Sequence, residues 1–112
     1  MNKLETAVIS AIRARRNMRE SNMEVTQGND GCTVLLHGNA IARIMYSSRD
    51  GIDSIKATFA GWLTSVTSRR LDAIAVACGI ETCHVRIKKG NGYILRRDGS
   101  SFPVASDEWF HL

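Results

Sequence analysis

The spacing of apolar residues changes twice along the chain, and those changes divide it into elements. Leu4, Val8 and Ile12 recur at i, i+4 and i+8, with Ala7, Ala11 and Met18 widening the stripe and Lys3, Thr6, Ser10 and Arg13 off it. This predicts an amphipathic helix over residues 2–18. Asn2 followed by Glu5 has capping-box spacing. From Met23 the period becomes two. Met23 and Val25 alternate with Glu24 and Thr26, Gly28 to Gly31 supply a turn, and Cys32 to His37 read as a strand. Gly38-Asn39 signals a tight turn and Ala40 to Tyr46 return. After a loop at 47–51, Ile55, Ala57 and Phe59 share one face, with Lys56 and Thr58 on the other.

Gly61-Trp62 end that alternation, and a helical period resumes over residues 68–78. Thr67 is the expected N-cap, because it places Val66 and Leu71 at the two positions of a hydrophobic staple. Leu71, Ile74, Ala75 and Cys78 form the expected buried stripe. Gly79 suits the left-handed position past the helix, with Ile80 folding back on it. The last third alternates again. Cys83, Val85 and Ile87 oppose His84, Arg86 and Lys88; Lys89 to Gly92 turn; Tyr93 to Arg97 come back. Phe102 to Val104 suit an edge strand, since Pro103 has no N–H to donate. The prediction is an α+β fold: an antiparallel sheet of about five strands built from hairpins, with both helices on one face.

Composition adds limits to this picture. The 112 residues suit a single domain, with 44% apolar and 23% charged residues. There is neither an apolar run of membrane-spanning length nor the pattern of a secretory signal. Three cysteines, Cys32, Cys78 and Cys83, are odd in number and fit free thiols in a reducing cytoplasm. The net charge of +4 favours an anionic partner without demanding nucleic acid.

Candidate chemistry is sparse. Cys78, Cys83 and His84 lack zinc-site spacing and read as core thiols beside a strand histidine. No serine or cysteine sits in an elbow motif, no pair of carboxylates is placed for acid–base work, and Lys89 to Gly92 are not a phosphate loop. The expectation is a non-enzymatic protein without metal or cofactor. What remains is charge. Arg86, Lys88, Lys89, Arg96 and Arg97 fall on one hairpin with no anion among them, and Tyr93 lies between. Such a patch meets phosphates or an acidic protein surface, or simply protects a sheet against aggregation. Arg15 and Arg16 extend the cations at the end of the first helix, and Arg69 and Arg70 open the second, where the helix dipole disfavours them. Trp62 reads as a core plug; Trp109 and Phe110 are either tucked against the sheet or anchors for a partner.

Three stretches together resemble small accessory proteins of tailed bacteriophages and prophages: Leu36 to Ile44 with its Gly-Asn turn, Gly61-Trp62 with Thr64 to Ala73, and Lys88 to Tyr93. The similarity covers residues 23–97 and carries no catalytic residues to transfer. It implies a phage origin and a role in binding host machinery or blunting host defence. The expected function is therefore binding and inhibition of a host protein or nucleoprotein complex in the host cytoplasm, in anti-CRISPR or anti-restriction style, by a monomer or small homo-oligomer. The alternatives are a nucleic-acid module using the basic hairpin and the arginines of the first helix, and a virion component that oligomerises through an edge strand.

Overall fold

The computed structural model of the chain describes residues 2–47, 51–80 and 83–112, and of Cys83 the backbone alone. Helix α1 is Lys3–Ala14, followed by β1 Met18–Glu20, β2 Met23–Gln27, β3 Gly31–Leu36, β4 Asn39–Tyr46 and β5 Ile52–Ala57. Helix α2, Ser65–Ala77, precedes β6 Cys83–Lys88, β7 Asn91–Arg96, β8 Ser101–Val104 and β9 Phe110–His111. The α+β class is as expected, but the strands form two antiparallel sheets. One has six strands in the order β1-β2-β3-β4-β5-β9; the other has three in the order β6-β7-β8.

Local chemistry sets the ends of α1. Asn2 Oδ1 accepts from the Glu5 N–H at 2.8 Å, and Glu5 Oε1 accepts from the Asn2 N–H at 3.1 Å, the predicted reciprocal cap. The helix stops at Ala14 because Arg15 turns left-handed, φ 50°. Asn17 Oδ1 then accepts from the Gln27 N–H at 2.7 Å, and the Gln27 side chain donates to the Arg16 carbonyl at 3.2 Å. These bonds draw Met18, the expected last residue of the helix, with Arg19 and Glu20 into the edge of the sheet.

The large sheet is a meander whose inner face alternates as its sequence does. Val25, Val34, Ala42, Ala57 and Phe110 align across five strands, with Cys32, Ile44 and Ile55 in the next row, and all are buried. The register shifts between Val34 and Leu35, and Ile41 and Ala42 are consecutively buried at this bulge. The β3–β4 turn is His37-Gly38, both left-handed at φ 51° and 78°, and Asn39 already begins the strand. Lys89-Gly90 repeat the arrangement at φ 52° and 76° between β6 and β7. These are the conformations two-residue hairpins require.

Helix α2 begins earlier than its sequence suggests. Thr64, not Thr67, is the N-cap: its Oγ1 accepts from the Thr67 N–H at 3.2 Å. Thr67 is instead buried within the first turn, its hydroxyl 3.1 Å from that of Thr64. Replacing Thr64 by alanine is expected to cost about 1 kcal/mol, read as a lower urea midpoint at unchanged slope. The other end follows prediction, with Gly79 at φ 78° and the Ile80 N–H donating to the Ala75 carbonyl at 2.8 Å.

The two helices run side by side in the same direction. Glu5 of α1 meets Arg70 of α2 at 2.8 Å, and two turns further on Arg13 donates to the Val76 and Ala77 carbonyls at 3.1 and 3.4 Å. Arg13 thereby caps the Ala77 carbonyl at the end of α2 and adds a second donor to that of Val76, which also accepts from the Gly79 N–H at 3.0 Å. Val8, Ile12, Leu71 and Ile74 pack from this pair onto the inner face of the sheet. Phe59, fully buried, joins them, its ring 6.3 Å from that of Phe110.

Cys32 is buried and Cys78 half-buried, and both thiols are uncharged core groups. The Cys83 side chain lies outside the described residues. Burial pushes the Cys78 thiol up from 9.0 to about 12, and burial with a hydrogen bond to Cys32 raises Tyr46 from 10.0 to about 12. In the unfolded chain these groups lose their protons near the ordinary values, whereas the folded chain retains them. Their contribution to stability is therefore complete below about pH 9 and declines as pH rises toward 12. A urea midpoint that falls over this range, and falls less in Cys78→Ala, is the expected result.

Candidate interaction surfaces

The small sheet is held to the rest of the molecule by one edge and one face. Ser68 Oγ of α2 donates to the Val85 carbonyl at 2.6 Å, and Asp72 Oδ1, one turn on, accepts from the Val85 N–H at 2.7 Å. The edge of β6 is thus paired by helix side chains instead of a strand. Gly92 allows a close approach on the face: a Cβ there would stand 2.8 Å from Phe59 Cε2 and 3.1 Å from Leu63 Cδ2.

This docking separates the five hairpin cations. Arg86 forms an ion pair with Asp72 and also donates to the Val85 carbonyl at 2.9 Å. Lys88 is exposed at the end of β6 and Lys89 in the turn. Register places Arg86 opposite Tyr93 and Lys88 opposite Asn91, whereas Arg96 lies opposite Cys83, on the side of Val85 and Ile94. Arg96 thus does not share a face with Arg86 and Lys88; Ile94 is the buried residue of β7 and Leu95 the exposed one. Its guanidinium lies 5.7 Å from the centre of the half-exposed Phe102 ring. Arg97 is exposed in the following turn. Asp98, beside it, accepts from the Ser100 N–H and hydroxyl at 2.8 and 2.6 Å, bonds that lower its pKa and keep one anion at this end.

The additional candidates divide. Arg15 lies over the Tyr46 ring at 4.1 Å and donates to the Gly51 carbonyl at 3.2 Å, and Arg16 donates to Ser10 Oγ at 2.9 Å. Arg69 is exposed, but Arg70 is not: it is 8% exposed and bound to Glu5. The earlier start of α2 moves Arg70 out of the first turn and aims it at α1. Tyr93 is half-buried. Phe110 is a core residue, not an anchor, because β9 pairs Phe110 with Ala57. Trp109 stays 38% exposed, its ring 4.8 Å beneath the Arg43 guanidinium.

Two surfaces went unrecognised in the sequence. The outer face of the large sheet is open, and register aligns Thr26, Thr33, Arg43, Lys56 and His111 across five strands. Alternation flagged Lys56 as outward but gave no sign that these strands were neighbours. The second is a groove of about 550 Å³ floored by Leu36, Ile41 and Phe59 and rimmed by His37, Asn39 and Trp62. Trp62 is 61% exposed on its wall, not a core plug. Left-handed Ala60 and Gly61, φ 53° and 85°, turn the chain after Phe59, which takes the core position instead.

Among the described residues no group of His, Cys, Asp and Glu side chains is gathered to hold a metal ion, and no helix is long and apolar enough to cross a membrane. Fold and surfaces define a small α+β protein with two parallel helices over one sheet face and charged sheet surfaces facing solvent. The chain belongs to the Kyanoviridae Gp96 protein family, a family of bacteriophage proteins, whose model matches residues 1–111. The resemblance to phage proteins is thereby borne out and extends to both terminal segments. No curated protein and no solved structure matches the chain.

Proposed function

We propose that this phage protein is a non-enzymatic interaction protein that binds a host protein or nucleoprotein complex in the host cytoplasm and inhibits it, in the manner of an anti-CRISPR or anti-restriction factor. Its contact surface is the small sheet. One observation carries the reading: Lys88, Lys89 and Arg97 are exposed cations that form no ion pair among the described residues, on a sheet fixed to α2 through Val85. Exposed Leu95 lies on the face of Arg86 and Lys88, and exposed Phe102 on the opposite face with Arg96. Apolar and aromatic groups among cations suit an acidic protein surface, where such side chains serve as anchors. Arg86, held by Asp72 on the face of Lys88, adds to this surface without having to be ordered on binding, while Arg96 lies against Phe102 on the other face.

Affinity capture from host lysate, with and without nuclease, tests this reading. Recovery of one stoichiometric protein that persists after nuclease supports it; loss of all partners after nuclease favours a nucleic-acid module using the same hairpin. Assembly as a virion component through an edge strand is disfavoured by the edges themselves. The outer strands of the large sheet have 3 and 2 residues, β6 is paired by α2, and β8 contains Pro103. Light scattering is expected to show a monomer or a small defined oligomer, and growth with concentration would contradict this.

A further inference from the structure

The open face of the large sheet carries features that the small sheet does not use. We infer that this face is a second binding surface, and that its ligand is single-stranded nucleic acid. The row Thr26, Thr33, Arg43, Lys56 and His111 crosses β2, β3, β4, β5 and β9 with one outward side chain per strand. At a strand spacing of about 4.8 Å the row spans roughly 19 Å. It contains two permanent cations on adjacent strands, an imidazole and two hydroxyls, and no carboxylate. Glu24 lies in the next row opposite Arg19, and Asp30 borders the hollow that Thr26, Thr33 and Arg43 line. An anionic, extended ligand is the complement of such a row.

The second feature is the aromatic group beside it. Trp109 lies under Arg43 with its ring 4.8 Å from the guanidinium carbon and remains 38% exposed, so indole area is left for a flat partner. Bases of any sequence stack on such a ring, and arginine adds a cation–π contribution. Met45, 45% exposed, adds a polarisable apolar contact in the adjoining row. The row itself consists of hydroxyls, cations and an imidazole, of the composition that meets phosphate and sugar, and the row beside it adds Leu35 and Ala40 with Glu24 opposite Arg19. That the surface is a sheet face selects between single and double strands. A duplex is read by an element that enters a groove, which a sheet face without a protruding element does not supply, whereas splayed bases lie against a sheet.

The test is fluorescence anisotropy of a labelled dT20 strand against the full chain, beside a duplex of equal length and a polyglutamate peptide, with folding of every variant checked by circular dichroism. Expected are saturable binding of the single strand, weaker binding of the duplex, and a loss of tenfold or more in the R43A/K56A variant. The slope of log K against log salt should fall by about 1.4, because two cations no longer neutralise phosphates on the strand. In a Trp62→Phe background, where Trp109 is the remaining tryptophan, the strand should quench the indole fluorescence, and Arg43→Lys should retain the salt slope but bind more weakly. The inference is overturned if dT20 does not bind, if polyglutamate or duplex binds as well as the strand, or if binding survives R43A/K56A. Binding abolished by charge reversal at Lys88 and Lys89 but not by R43A/K56A would likewise overturn it, placing the nucleic acid on the small sheet.

Discussion

Replacing Arg70 by alanine is expected to destabilise the fold by about 3–5 kcal/mol, because it leaves Glu5 as a buried carboxylate without its cation. The pair is 2.8 Å apart, with side chains 9% and 7% exposed, and it joins the first turns of α1 to the middle of α2. Arg70 Nε is itself buried without a hydrogen-bond partner, so the site is incompletely satisfied even in the native chain. That makes the double replacement informative. Glu5→Leu with Arg70→Met removes both charges and the unsatisfied N–H at the loss of the Asn2 N–H to Glu5 capping bond, and is expected to cost far less than Arg70→Ala alone. Urea unfolding of the four members of the cycle measures this. Equal, small losses in both single variants would show that the pair is solvated and not a pin between the helices.

Gly31→Ala is the second large effect, at about 3 kcal/mol or more. A Cβ at Gly31 would stand 2.0 Å from the Ile44 carbonyl oxygen and 3.2 Å from Met45 Cα, both backbone of the paired strand β4. No rotamer change relieves that clash; the two central strands have to separate. Gly38→Ala is the control. Gly38 has φ 78° but nothing within 4 Å of a Cβ, so only the left-handed strain of about 1–2 kcal/mol applies. Comparable losses at the two sites would contradict the close packing of β3 on β4.

The parts of the fold that are local in sequence were legible in it. The Asn2–Glu5 cap, the alternation of β2 to β5, the Gly79 ending and the Lys89-Gly90 turn each depend on residues a few positions apart. Where two local solutions competed, the reading failed: Thr64 and Thr67 both carry capping hydroxyls, and only packing decided between them. Position in the core was legible for Phe59 by alternation but not for Trp62, because two left-handed residues intervene. The charge map was least legible. Arg86 and Asp72, or Arg70 and Glu5, are distant in sequence, and their pairing removes cations from the surface that composition alone assigns to it. Conversely, the row through Arg43, Lys56 and His111 exists only once register is known. The exposed cations of the small sheet that form no ion pair among the described residues, Lys88, Lys89, Arg96 and Arg97, lie toward its two ends, with Arg96 on the face opposite Lys88.

The central claim, that Lys88, Lys89 and Arg97 form the surface on which a host partner is held, is tested most directly by affinity capture from host lysate with the native chain and a Lys88→Glu, Lys89→Glu, Arg97→Glu variant side by side. The three side chains are exposed and form no ion pair among the described residues, so the variant is expected to keep the native unfolding midpoint. The account predicts one stoichiometric, nuclease-resistant partner with the native chain and its loss with the variant. Retention of that partner by a folded variant would contradict it.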